Sequence, residues 1–291
     1  MYADFECVPC FLSQTISCAR QLGISDEDLS TILKKIFEYL SSFDFKKTPP
    51  YVGKVIHSII KKVIKNPDPY RKQKKLANKK ALQILPLLKE KVKNSDNPFK
   101  EAVVLAIAGN IIDLAINPDL DIIKTIEEIE KESYELNDED LNLFKSKIES
   151  AKNILYLCDN AGEIVFDKLL ISFIPKEKLT IVVRGEPIIN DATLEDAKMV
   201  GLLPDYKVIS NGDSAPGTLL ECVSEEFIKE WNKADFIISK GQGNLESLWG
   251  VKEKNIAFLL KVKCDLVSKK LNIPKGNICL KFSNTLIYRV D

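Results

Sequence analysis

The chain has 291 residues, enough by length for about two domains, and 45% of them are hydrophobic, so it can bury a sizeable core. Its 42 basic residues balance 42 acidic ones, which gives no electrostatic reason for a nucleic-acid or membrane-surface partner. A single histidine, His57, nearly excludes histidine-based catalysis or a histidine-rich metal site, and seven mostly scattered cysteines favour reduced thiols in a cytoplasm over a secreted disulfide framework.

Acidic residues within 1–6, with no apolar run in the right place behind them, point away from a signal peptide. Helical periodicity then continues almost to residue 150. It predicts helices near 8–22, 26–41, 51–65, 70–92, 98–116, 120–133 and 138–150. Ser25-Asp26, Pro49-Pro50, Asn66-Pro67, Asn97-Pro98, Asn117-Pro118 and Asn137-Asp138 punctuate them. The longest apolar run, 102–116, is too short to span a bilayer and carries Asn110 and Asp113. Those two lie three apart and share a helix face. A buried aspartate needs a partner or a function, which favours an active-site wall contributed by the helical half. Cys7 and Cys10 fit either of two readings. With Phe11, Gln14 and Cys18 they could form one core face of a helix. They could instead join a metal site assembled from distant residues, since no second cysteine or histidine pair is spaced to complete a zinc site. His57 is expected to be structural or exposed, and the charged run 72–80 a solvated helix face.

From Asn153 the pattern changes. Short apolar runs at 154–158, 180–183, 207–209, 236–239, 256–260 and 278–282 alternate with amphipathic stretches. Runs of this length, rich in Val and Ile, predict buried parallel strands, and the more alternating last run predicts an edge strand. The expected fold class is α/β: an all-helical domain over 1–150, then a Rossmann-like three-layer sheet domain over 151–291.

Ligands of open α/β sheets bind beyond the carboxyl ends of the strands. Five consecutive strand ends here carry clustered charge, amide and glycine. Asp159, Asn160 and Asp191 are hard oxygen ligands suited to Mg²⁺ or Mn²⁺. Lys240, Lys263 and Arg184, with the glycine-bearing backbone of Gly241 and Gly243, are anion binders, and Glu163 and Asn244 stand in the same turns. A carboxylate-held cation facing a basic wall suits phosphoryl chemistry. Taken singly, Asp159-Asn160-Ala161-Gly162 could only cap a helix and the turn 240–244 could be only a turn; both readings would have to coincide along the whole sheet edge.

Several blocks, in order, resemble the damage-control phosphatases, long called domain of unknown function 89, in their compact archaeal and bacterial branch. They are Cys7-Val8-Pro9-Cys10, Ala108-Gly109-Asn110-Ile111-Ile112-Asp113, Asp159-Asn160-Ala161-Gly162-Glu163, the segment from Arg184-Gly185-Glu186-Pro187 to Asn190-Asp191-Ala192-Thr193, Lys240-Gly241-Gln242-Gly243-Asn244 and Lys261-Val262-Lys263-Cys264. The resemblance covers most of the chain. It implies a helical domain packed on a Rossmann-like domain, a divalent metal such as Mn²⁺, Ni²⁺ or Co²⁺, and hydrolysis of sugar phosphates or damaged phosphometabolites. The family's metal ligands fall on Asp159, Asn160 and Asp191, and its phosphate-contacting lysine on Lys263. Better-studied branches carry Arg-Thr-x-Lys where this chain has Lys261-Val262-Lys263. The expected site therefore places the metal on Asp159, Asn160 and Asp191 and the phosphate on Lys240 and Lys263. Asn110, Asp113, Glu163, Arg184, Gly241, Gly243 and Asn244 line it. Two other readings stay open: an S-adenosylmethionine-dependent methyltransferase, which a Rossmann-like sheet would suit, and a non-catalytic sugar-phosphate-binding protein.

Overall fold

The computed structural model describes residues 1–109 and 136–285. Its N-terminal helices are α1 (Cys7–Gln21), α2 (Asp26–Ser41), α3 (Pro49–Val63), α4 (Arg71–Asn94), α5 (Pro98–Ala108) and α6 (Asp138–Ser150). The polar and proline signals between them work as caps. Ser25, Thr48, Asn97 and Asn137 each accept a backbone N–H of the first turn, and prolines at the first positions of α3 and α5 supply a preset φ. The predicted helix at 120–133, and the extension of α5 to 116, lie outside the described residues.

The second half alternates strand and helix: β1 (Ile154–Leu157), α7 (Glu163–Ile171), β2 (Leu179–Val183), α8 (Leu194–Met199), β3 (Lys207–Ser210), α9 (Glu225–Lys233), β4 (Phe236–Lys240), α10 (Gln242–Leu248), β5 (Ile256–Lys261), α11 (Asp265–Leu271) and β6 (Ile278–Phe282). The sheet order is β3-β2-β1-β4-β5-β6, parallel except for β6, which pairs antiparallel with β5 at the edge. This 3-2-1-4-5-6 order places its topological switch between β1 and β4, where doubly wound sheets bind ligands.

Strand alternation divides the sheet between two cores. Ile154, Tyr156, Ile238 and Leu259 face a layer made by α4 to α8, whereas Leu155, Leu157, Ile237 and Phe258 face α9, α10 and α11. A third, separate cluster joins α1, α2 and α3. The change at residue 150 is thus one of element type, and the apolar core runs across it. α3 packs against α10 and the loop after β3, where a Cβ on Gly53 would stand 3.0 Å from the Pro216 ring. The helical half therefore roofs the carboxyl ends of the strands. Among the described residues no helix is long and apolar enough to cross a membrane.

His57 is structural: it is buried and edge-on to Tyr70, with ring centroids 6.3 Å apart. Burial, and then the charge of Lys61, push its pKa down to about 4. The unfolded chain takes up the proton first, so stability is full above the unfolded value of about 6.5 and falls as pH drops toward the folded one, by about 3 kcal/mol in all. The lone imidazole should give one NMR resonance titrating with a midpoint near 4, and His57→Phe should flatten the stability loss across that interval. A midpoint above 6 would place the ring in solvent.

Candidate active site

The site begins with a backbone crossing. After β2 the chain turns back and pairs with the segment that leaves β1. Asn160 and Asp191 form an isolated antiparallel bridge; Ala192 N–H donates to Asp159 O (2.8 Å) and Ala161 N–H to Asn190 O (2.8 Å). Arg184 N–H donates to Ala192 O (2.9 Å), closing the returning loop on its own start. This pairing brings Asp159, Asn160 and Asp191 together although 30 residues, 161–190, lie between the bridge partners.

Arg184 lies behind them and is almost wholly buried. Its Nε donates to Asp191 Oδ2 at 2.6 Å and its Nη2 stands 3.6 Å from Asp159 Oδ1. The anion it meets is therefore this carboxylate pair. The guanidinium is 1% exposed, and its Nη2 has no hydrogen-bond partner. One guanidinium does not neutralise two buried carboxylates. Burial raises the pKa of Asp191 to about 7, with Asp159 and Glu163 adding repulsion that Arg184 only partly offsets. Asn160 donates its side-chain N–H groups to Asp159 Oδ2 (2.9 Å) and Glu163 Oε2 (3.0 Å). Its Oδ1, with the two aspartates, makes a set of hard oxygen donors able to hold a divalent cation.

Lys240 departs from expectation. It was expected to project beyond the strand end, but β4 runs through it. The two-residue alternation puts it on the same sheet face as Phe236 and Ile238. Its fully buried ammonium donates to Glu163 Oε1 (2.6 Å), Asp167 Oδ1 (2.6 Å) and Ala106 O (2.8 Å), which engages all three of its N–H groups. Burial works against this charge, but the attraction of Asp167 and then Glu163 outweighs it and holds the pKa above the usual lysine value. Asn244 also turns inward. It accepts from Thr218 Oγ1 (2.8 Å) and donates to the carbonyls of Lys240 (2.8 Å) and Cys158 (3.3 Å), so it ties turns together and has no exposed face for substrate.

Asp167 was missed by sequence reasoning. It accepts from Tyr156 Oη (2.7 Å) as well as Lys240, and its pKa is pushed up to about 7, mainly by burial. Its signal was present: Glu163 and Asp167 are four apart in a mostly apolar helix and so share a face. Asn78 and Lys74 were also missed, inside the run read as a solvated face. Asn78 accepts from Gly162 N–H (2.7 Å) and donates to Asp196 (2.8 Å); Lys74 is buried beside the same aspartate.

Gly241 and Gly243 have steric roles. Gly241 has φ +80°, and a Cβ there would fall 2.0 Å from Asp159 Oδ2; one on Gly243 would fall 2.0 Å from Pro216 O. Lys263 follows the end of β5. It is exposed, its backbone N–H donates to Gln242 Oε1 (2.9 Å), and its charge acts on buried Glu246, whose pKa burial lifts to about 7. Asn110 and Asp113 lie outside the described residues. The expected cysteine face of α1 is corrected: Phe11, Thr15, Cys18 and Ala19 are buried, whereas Cys10 and Gln14 are exposed and Cys7 is half-buried. The inward stripe is turned from the one that includes Cys10.

A family model described as the damage-control phosphatase ARMT1-like domain matches residues 3–279. The chain belongs to this family. A damage-control phosphatase of Pyrococcus horikoshii is 35% identical over 291 residues, which cover 97% of this chain and 98% of that one. An uncharacterized protein of Methanocaldococcus jannaschii is 37% identical over 287 residues, 95% of this chain and 94% of that one. The crystal structure of a DUF89 family protein from Pyrococcus horikoshii matches with a TM-score of 0.86 at 33% identity, over 96% of this chain and 98% of that one. The match takes in both the helical half and the sheet of this damage-control phosphatase family member.

The geometry of Lys240 has a direct consequence. Lys240→Met would leave Glu163 and Asp167 buried without their cation and should destabilise the fold by about 3–5 kcal/mol in denaturant titration. Unchanged stability would return Lys240 to the role of a ligand contact.

Proposed function

We propose that the chain is a metal-dependent phosphatase of small phosphate monoesters, such as sugar phosphates or damaged phosphometabolites. The observation that carries this reading is the convergence of Asp159, Asn160 and Asp191 at the switch point of the sheet, backed by Arg184. The names of the relatives from Pyrococcus horikoshii and Archaeoglobus fulgidus, both damage-control phosphatases, support the reaction class.

The donor chemistry suits a hard divalent cation. Among the described residues, Asp159, Glu163, Asp167 and Asp191 share this buried cluster with two cations, Arg184 and Lys240. That leaves an excess of negative charge which a divalent ion would relieve. No group of three or more histidine, cysteine or acidic side chains able to hold a metal occurs among the described residues. Two carboxylates with an amide oxygen and waters suit Mg²⁺ or Mn²⁺ better than a closed zinc site. Ni²⁺ and Co²⁺ belong to the same reading. When bound, the ion supplies Lewis-acid polarisation of the phosphoryl group.

The side chains divide the remaining work. Asp159, Asn160 and Asp191 would hold the ion, and Arg184 fixes the two aspartates from behind. Lys263, exposed after β5, would hold a phosphoryl oxygen through its ammonium, a compact point charge. Glu163 orients Asn160 through its amide, and Gly241 permits the close approach of the β4 turn to Asp159. Hydrolysis adds water across the P–O ester bond and releases alcohol and phosphate. The same reading places the chain in the cytoplasm.

A panel of phosphate esters, assayed with Mg²⁺, Mn²⁺, Co²⁺ and Ni²⁺ separately, tests the activity. Asp159→Ala and Asp191→Ala should abolish metal-stimulated phosphate release with circular dichroism unchanged; activity retained in either would remove it from the site. Lys263→Ala should lower kcat/KM by about a hundredfold, comparable to losing a transition-state donor, while Mn²⁺ affinity stays the same. Methyl transfer without phosphate release, or phosphate-ester binding without turnover, would replace the phosphatase reading.

A further inference from the structure

A cleft of about 520 Å³ opens beside the site, between α3 with its C-terminal turn and the loop returning from β2. Lys54, Lys61, Lys62 and Lys65 line the helical side; Glu186, Pro187 and Ile188 line the other. Even with Lys54 matched by Asp213, three lysines face one carboxylate in a chain whose total charge is zero. The excess is therefore local and built by the fold.

The lysines fall into two pairs. Lys54 is ion-paired with Asp213, and Lys61 donates to the Pro187 carbonyl, pinning the returning loop to α3. Burial of Lys61 lowers its pKa although Glu186 pulls the other way, so an anion beside it would stabilise its charge. Lys62 and Lys65 are exposed, and among the described residues neither forms an ion pair. Lysines at a helix C-terminus also complement its dipole. That bears on Lys61 and Lys62 in the last turn; Lys54, two turns earlier, is matched by Asp213, and Lys65 lies past the helix end.

The cleft and the candidate metal ligands share one short loop. Asp191 N–H donates to Ile188 O at 3.0 Å, closing a tight turn whose ends lie within about 7 Å. Ile188 lines the cleft, and Asp191 stands at the metal position. An anion among the lysines is thus one turn away from a phosphoryl group bound at Asp159 and Asp191. We propose that this cleft is a subsite for a second oxyanion, phosphate or carboxylate, on the phosphorylated substrate. The proposal rests on the phosphatase reading and narrows its substrates to phosphate esters that carry another anionic group.

The test compares a sugar bisphosphate, a phosphorylated carboxylic acid and p-nitrophenyl phosphate, which has no second anionic group, as substrates of the metal-loaded full chain. The double variant Lys62→Ala, Lys65→Asn keeps a residue tolerant of the left-handed backbone at 65, where φ is +52°. The ratio of kcat/KM for the doubly anionic substrates to that for p-nitrophenyl phosphate should fall about tenfold, through KM. Lys62→Glu should lower it further. A fall for the bisphosphate alone assigns the subsite to phosphate; a fall for both assigns it to oxyanions in general. An unchanged ratio in active enzyme overturns the subsite and leaves the phosphatase reading standing. No turnover of any ester by the unsubstituted chain with any metal overturns that reading and the substrate subsite with it.

Discussion

Two buried cations hold four buried carboxylates at the ends of β1, β2 and β4. Lys240 lies between Glu163 and Asp167, and Arg184 between Asp159 and Asp191. Charges taken out of water are tolerated only when paired and hydrogen-bonded, so each cation dictates where its partners sit. Glu163 couples the two groups, because one oxygen receives Lys240 while the other receives Asn160. The inner group fixes α7 and α5 against the sheet, and the outer group holds the ends of β1 and β2 together. Stability and site geometry thus come from one electrostatic network.

That network needs backbones closer together than side chains normally allow. Gly241 brings the turn after β4 against the Asp159 carboxylate, Gly243 meets the Pro216 carbonyl, and a Cβ on Gly185 would lie 2.4 Å from the backbone of Gly212. The three glycines stand after β4 and β2 on the same edge of the sheet. Their missing side chains let the turns crowd together, and the hydrogen bonds of Asn244 and Asn211 then tie them. The site therefore rests on rigid turns anchored to strands, which suits a function that depends on placing charges with little freedom.

The helical half completes this edge. Asn78 of α4 accepts from the backbone of Gly162, where α7 begins, and Ala106 of α5 supplies the third acceptor of Lys240. Lys54 and Lys61 of α3 hold the segments after β3 and β2. Three separate helices thus reach the carboxyl ends of the strands, and the basic cleft exists only because α3 faces the returning loop. Family membership accords with this arrangement, since the match spans residues 3–279 and so includes both the helices and the sheet.

Local chemistry in the sequence was enough to determine the six strands, their mostly parallel pairing and most helix boundaries. Cap residues, prolines and apolar runs act over a few residues, and their effects are visible without the fold. It also determined which polar side chains stand at the sheet edge, because Asp159, Asn160, Asp191 and Lys263 follow strands whose ends share one edge. Only the tertiary structure decided what the charged side chains meet. Lys240 looked like a rim cation, but one further residue of strand turned it into the core. Arg184 met carboxylates, and Asn244 met its own turns. The cleft lysines come from a helix more than a hundred residues before the loop they face. Sequence spacing gives the position of a side chain on its own element, whereas its partner depends on how elements from distant parts of the chain pack. A buried charge is governed by that partner.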